Sequence, residues 1–184
     1  MLSSKRLNQA VAVIKSGGVI AYPTEAVYGL GCDPFNEQSV LQLLALKKRS
    51  VEQGLILIAS NVRQVLPLIQ PIHADDLARA LKTWPGHATW IFPKSNGVPT
   101  WISGNYHSVA IRVSKHPVVK MLCDELESPL VSTSANITNE NDLDSIKAIQ
   151  NTFGDKIACY IDAPVGNEQQ ASTIVDAHTQ QKLR

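Results

Sequence analysis

The sequence predicts an α/β fold, a single domain over residues 1–184 with helices flanking a largely buried sheet. Helical and strand periodicities are interspersed along the whole chain, and no internal repeat or linker-like change of composition divides it. Hydrophobic residues make up 44% of the 184, enough for one sizeable core at this length.

Taken in order, Ser3 and Ser4 can cap a first helix in which Leu7, Ala10, Val11 and Ile14 recur at helical spacing. Gly17 and Gly18 end it, since glycine tolerates the left-handed turn at a helix C-terminus. Residues 19–22 read as a short buried strand, followed by the turn-rich stretch PTEAVYGLGCDP. A second helix is expected over 36–48, with Val40, Leu43, Leu44 and Leu46 facing the core. Residues 55–59 are apolar and β-branched enough for a central strand. Two shorter helices are expected at 62–69 and 74–83, and WPGHATWIF reads as a turn leading into a strand. A strand at 109–113, a helix at 117–126 and a strand at 130–132 running into STSAN follow. A helix over 143–153 and strands near 157–161 and 172–175 complete the chain. Strand order is not encoded in this pattern.

Composition removes several functional classes. Lys and Arg number 17 against 16 acidic residues, so bulk charge would not hold this protein to nucleic acid, although a local basic pocket remains open. Cys32, Cys123 and Cys159 are far apart and form no CxxC, which fits reduced thiols rather than a disulfide framework. The histidines (His73, His87, His107, His116 and His178) form no pair at the spacing of a helical zinc site. The opening MLSSKRLNQAV has no basic segment leading into an apolar one, and no apolar run reaches the roughly 20 residues of a membrane-spanning helix. The expectation is a soluble cytoplasmic protein.

Four segments place polar or basic residues beside apolar strands, where packing alone would not require them. In PTEAVYGLG, Thr24 and Glu25 sit at a strand end, a common site location in α/β folds; an ordinary turn with a threonine cap is the alternative. The glycine spacing there matches neither a dinucleotide fingerprint nor a GxxxxGK[ST] phosphate loop. Lys47 and Arg49 would point the same way, as a two-pronged anion site, if the helix ends near Lys47 and the chain becomes extended. Otherwise they form a basic helix C-terminus complementing the macrodipole. In Ser132-Thr133-Ser134-Ala135-Asn136, an extended backbone lines up Ser132, Ser134 and Asn136 on one side. Ser172-Thr173 opens the last apolar strand and reads, unaided, as structural. Arg112 interrupts the run Val109-Ala110-Ile111-Arg112-Val113, and a buried cation needs a carboxylate or an anionic ligand unless it snorkels at an edge. Residue chemistry alone therefore reaches an anion-binding α/β domain with no evident nucleophile, triad or metal cluster.

Together, PTEAVYGLG, LLALKKRSVEQGLILI, WPGHATWIF, VAIRVSKHP, PLVSTSAN and STIVD occur in an order and spacing that resembles the YrdC-like threonylcarbamoyl-AMP synthase family, of the short single-domain TsaC type. The resemblance spans nearly the whole chain. It implies an open, twisted mixed sheet with flanking helices and a concave, positively charged cavity. The implied activity is that of a nucleotidyltransferase joining L-threonine, bicarbonate and ATP into threonylcarbamoyl-AMP and pyrophosphate, for threonylcarbamoyl-adenosine modification of tRNA. ATP would be a substrate carrying Mg²⁺, with no metal held by the protein itself. TsaD-containing proteins would be the downstream partners. A structured-RNA-binding module without catalysis is the competing reading, and direct RNA contact is possible under either.

Carried over by motif position, Thr24, Arg112, Ser132 and Ser172 would bind L-threonine, with Arg112 pairing its carboxylate. Lys47 and Arg49 match the family's KxR element and would hold phosphates as the catalytic pair. Ser134, Asn136 and Arg184 would complete the ATP site. Both Lys47 and Arg49 are expected to project into the cavity, so that either alanine substitution would abolish synthesis and leave the fold intact. The chain departs from the family pattern at Ser50, Gly54, His87 and Ser114, each standing where proline is common. None of these removes a proposed ligand contact.

Overall fold

The computed structural model describes residues 2–184. Ser3 caps α1 (Ser4–Lys15) by accepting from the Arg6 amide, and Gly17, at φ 89°, releases the chain from it. β1 (Ile20–Pro23) and β2 (Tyr28–Gly31) form an antiparallel hairpin. α2 (Glu37–Lys47) is capped by Asn36 and ends at Lys48, which adopts the left-handed conformation. There follow β3 (Ile56–Ala59), α3 (Ala74–Leu81), β4 (Ala88–Pro93), the single turn α4 (Thr100–Ser103) and β5 (Ser108–Val113). The chain then passes through α5 (Pro117–Leu126), β6 (Leu130–Ser134), α6 (Ile146–Phe153), β7 (Cys159–Tyr160) and β8 (Thr173–Asp176).

Among the described residues the strands form one eight-stranded mixed sheet, in the order β7-β1-β2-β6-β3-β5-β4-β8. The pairs β7–β1, β3–β5 and β4–β8 are parallel and the rest antiparallel. No helix among these residues is long and apolar enough to cross a membrane.

Strand pleating divides the core in two. Val19 and Ala21 pack on one face with Val40 and Leu43 of α2 and Ile149 of α6. Ile20 and Tyr22 pack on the other, together with Ile58 and Leu130, under α1 and α5. That second face is covered over only part of its extent. Two residues along the same strands from Ile58 and Leu130 come Ile56 and Ser132, which carry no helix above them and border a cavity instead. Ala110, opposite Ile56, and Gly29, opposite Ser134, continue this uncovered surface across the sheet. Small side chains make the open half concave, whereas large ones fill the closed half.

Several elements differ from expectation for identifiable reasons. β2 lies within the stretch read as turn, because Gly29 and Gly31 resemble loop punctuation. A Cβ on Gly31 would lie 2.6 Å from the Val131 carbonyl oxygen and 2.7 Å from the Tyr22 ring, so a neighbouring strand and an overlying aromatic require this glycine. The helix expected at 62–69 is two 3-10 turns, Val62–Gln64 and Leu66–Leu68, because Pro67 lacks the amide an α-helix needs there. The strand expected at 157–161 pairs only at Cys159–Tyr160. Past β8 the chain turns back, and Val175 bridges Lys182 in antiparallel fashion. That return sets Arg184 beside β8, where its carbonyl accepts from the Ile174 amide at 3.1 Å.

Gly31→Ala should therefore lower the unfolding free energy by about 1–3 kcal/mol, measured by denaturant titration. Wild-type stability in that variant would contradict the close approach of Tyr22 to β2.

Candidate active site

The open half of the sheet forms a cavity of about 530 Å³. Its described wall carries the cations Arg49, Arg112 and Arg184 and one carboxylate, Asp142, beside the imidazole of His87. An excess of arginines around small polar side chains suits an anionic, hydrogen-bonding ligand.

Arg112 stands at the centre of the charge arrangement. It projects from β5 on the uncovered face and is 6% exposed. Its Nη2 lies 3.5 Å from Oε2 of Glu25, and its Nη1 donates to Nδ1 of His87 at 3.4 Å. The Glu25 carboxylate is in turn gripped through Oε1, which accepts from the Ser114 hydroxyl at 2.6 Å and from the Lys115 amide at 3.2 Å. Burial alone would raise the Glu25 carboxyl; the Arg112 charge and the Ser114 hydrogen bond outweigh it and hold the group below its ordinary value. Arg112 Nε is buried without a hydrogen-bond partner, as is Glu25 Oε2 apart from the ion pair. A guanidinium on a cavity wall, held only by an ion pair at 3.5 Å and a hydrogen bond at 3.4 Å, keeps charge to offer an anionic ligand.

The other walls are set by the ends of strands. After β1, Thr24 turns back on itself, its hydroxyl donating to the Val27 carbonyl at 2.7 Å and its side chain bordering the cavity. On β6, Ser132 and Ser134 face the cavity together, as the two-residue repeat requires. Ser172 shares a hydrogen bond with Thr89 at 2.8 Å, and the Arg184 Nε donates to the Ser172 carbonyl at 3.0 Å. Burial and the positive charge of Arg112 both push the Arg184 guanidinium down from its ordinary value, and Asp142 offsets this only in part. Arg49 reaches the wall with its Nη2 on the Gly54 carbonyl at 2.9 Å and its Nε buried and unpartnered.

Thus Thr24, Arg49, Arg112, Ser132, Ser134, Ser172 and Arg184 share one wall. Lys47 and Asn136 do not; they stand behind it. Lys47 is 2% exposed, and its ammonium donates to the carbonyls of Ser134 (2.6 Å) and Asn136 (2.7 Å) and to Asn136 Oδ1 (3.1 Å). Those contacts use all three of its protons. Burial, and secondarily the Arg49 charge, pull the Lys47 ammonium down to about 8. The side chain of Asn136 also accepts from the Ser134 hydroxyl at 2.6 Å and donates to the Glu140 carbonyl at 2.6 Å. The left-handed Lys48 turns the backbone between Lys47 and Arg49, so one braces the STSAN loop while the other reaches the cavity. Sequence reasoning missed His87, Tyr106 and Asp142 as wall residues. Only His87 left a signal, as a polar residue at the turn before β4.

Fold and wall together define an α/β domain with an arginine-lined cavity on the open half of its sheet, and residues 12–184 match the sequence profile of the Sua5/YciO/YrdC family, described as telomere recombination. The chain belongs to that family. It is similar to the threonylcarbamoyl-AMP synthase of Coxiella burnetii (strain RSA 493 / Nine Mile phase I), at 49% identity over 181 residues, 98% of this chain and 97% of the relative. With the Pseudomonas aeruginosa (strain UCBPP-PA14) threonylcarbamoyl-AMP synthase it shares 44% over 184 residues, 100% of this chain and 99% of that one. The crystal structure of P. abyssi Sua5 complexed with L-threonine superposes with a TM-score of 0.89 at 31% identity, over 96% of this chain and 52% of that protein. This chain thus spans about half of the P. abyssi protein. E. coli YciO, at 21% identity and a TM-score of 0.84, shares the fold.

The two residues of the KxR element should separate on substitution. Lys47→Met leaves buried acceptors unpaired and should cost about 1–3 kcal/mol of stability. Arg49→Ala should melt close to wild type but bind inorganic pyrophosphate about tenfold more weakly. Calorimetric titration and thermal melts of both variants test this; equal melting of the two would contradict a bracing role for Lys47.

Proposed function

We propose that the chain is a threonylcarbamoyl-AMP synthase, joining L-threonine, bicarbonate and ATP and releasing pyrophosphate. The observation that carries this reading is Arg112, a guanidinium paired with Glu25 only at 3.5 Å on the wall of a cavity that two further arginines line. Full-length similarity to threonylcarbamoyl-AMP synthases at 49% and 44% identity supports the same reaction, and the threonine complex of the Sua5 relative supports the amino acid.

In this scheme the threonine nitrogen attacks the carbon of bicarbonate, water leaves, and a carbamate forms. One carbamate oxygen then attacks the α-phosphorus of ATP, and pyrophosphate departs with the bonding electrons. No protein nucleophile is required, so catalysis lies in alignment and in stabilising charge at phosphorus. Arg112 would hold the threonine carboxylate, with Thr24, Ser132 and Ser172 around the amino acid. Arg49 and Arg184 would meet the phosphates, and Ser134 would complete the nucleotide site. Lys47 and Asn136 would act through the loop they brace. ATP-linked magnesium fits this wall: Asp142 offers a single hard oxygen donor there, as expected for an ion that stays mainly on phosphates and water. No group of three or more metal-ligating side chains gathers among the described residues. The product is a reactive mixed anhydride, which calls for direct transfer to a downstream acceptor, the role proposed for TsaD-containing proteins acting on tRNA.

Pyrophosphate release from ATP and Mg²⁺ should require threonine and bicarbonate together, and omission of either should return it to background. Release without threonine, or none with all substrates and folded protein, would sink the synthase reading.

A further inference from the structure

His87 has no part in the scheme above, yet it touches the group on which the scheme turns. Its Nδ1 lies 3.4 Å from Arg112 Nη1, and its Nε2 lies 2.7 Å from the Gln170 carbonyl oxygen. A guanidinium can only donate and a carbonyl can only accept. Both contacts therefore specify one form of the ring, neutral with its proton on Nε2. In that form it accepts from Arg112 on one side and donates to Gln170 on the other.

Gln170 belongs to a strap, residues 163–171, that runs along the cavity edge and delivers Ala171 and Ser172 to its wall. The strap is fastened along its length. Tyr28 Oη donates to the Ala163 carbonyl at 2.8 Å, and the amides of Gly166 and Glu168 donate to the carbonyls of Thr24 (2.9 Å) and Glu25 (3.0 Å). A Cβ on Gly166 would fall 2.6 Å from the Glu25 carbonyl oxygen, so the strap lies tight against the residues that frame Arg112. Beyond Glu168, His87 provides the next fastening, and the same ring holds Arg112. Glu25 approaches the guanidinium only at 3.5 Å, which leaves its orientation underdetermined without a second partner.

We propose that His87 is a positioning residue for the amino-acid substrate: by bridging Arg112 to the 163–171 strap, it fixes the guanidinium at the angle from which it receives a carboxylate. The inference rests on the reading of Arg112 as the threonine carboxylate partner. Loss of the bridge frees the guanidinium to rotate toward Glu25 and unpins the strap beside Ser172. The effect falls mainly on the amino acid, since Arg49, assigned to the nucleotide phosphates, is held by the Gly54 carbonyl and has no hydrogen bond to His87 or the strap.

Calorimetric titration of L-threonine and of ATP into wild type, His87→Ala, His87→Gln and Arg112→Lys tests this. His87→Ala should weaken threonine binding about tenfold with ATP affinity unchanged. His87→Gln, whose amide can accept and donate at once, should restore most of it. Wild-type threonine affinity in His87→Ala would overturn the proposal. So would an equal loss for ATP, or failure of glutamine to rescue in a protein that melts like wild type. Arg112→Lys separates the two layers: if it weakens threonine binding while His87→Ala does not, only the positioning role fails. If Arg112→Lys leaves threonine binding intact, the carboxylate assignment itself fails.

Discussion

The arrangement depends on holding one guanidinium at the edge of the part of a sheet face that no helix covers. Arg112 would be costly in a closed core, and unremarkable in open solvent. On β5 it is neither, being 6% exposed at the margin between the half of the sheet roofed by α1 and α5 and the half left open. Glu25 compensates its charge without saturating its donors, and the Ser114 hydroxyl and Lys115 amide hold Glu25 in turn. A tighter, bidentate pair would stabilise the apoprotein and leave nothing for a ligand. The 3.5 Å separation keeps the cation available.

Other features follow from that demand. The floor must be shallow enough for a ligand to reach Arg112, so the strands carry Gly29, Ala110 and Ser132 there, where the roofed half carries Tyr22, Ile58 and Leu130. The β1–β2 hairpin must approach β6 closely, and Gly31 allows it beneath the Tyr22 ring. The STSAN loop must present its hydroxyls without collapsing into the cavity, and Lys47 prevents collapse by engaging the carbonyls of Ser134 and Asn136 from behind. In this way the site is built in two layers, with arginines facing the cavity and a lysine bracing its wall.

Much of this was legible in the sequence. Periodicity located most helices and strands, because α1, α2 and α5 each bury an apolar stripe, β3 is apolar throughout and β5 is apolar apart from Ser108 and Arg112. The anomaly of Arg112 within an apolar run calls for a carboxylate or an anionic ligand, and Glu25 is the carboxylate it meets; the two-residue repeat puts Ser132 and Ser134 on one side, while Asn136, expected with them, stands behind the wall. β2 was hidden because its glycines answer a tertiary contact that local propensity does not encode. The resemblance puts Lys47 in the cavity beside Arg49, whereas the left-handed turn at Lys48, a conformation that lysine does not advertise, sends the two residues to different sides of the STSAN loop. His87 and Ser114, each standing where proline is common in the family, both proved to be polar supports of the Glu25–Arg112 pair, a coupling visible only in three dimensions.

The most direct measurement of the central claim compares L-threonine with L-threoninol, which lacks the carboxylate, in binding to wild type and to Arg112→Met. The account predicts that wild type prefers threonine by at least about tenfold, and that the variant, still folded, has lost the preference. A variant that continues to favour threonine over threoninol by the wild-type margin would contradict it, and would place the carboxylate elsewhere on the wall.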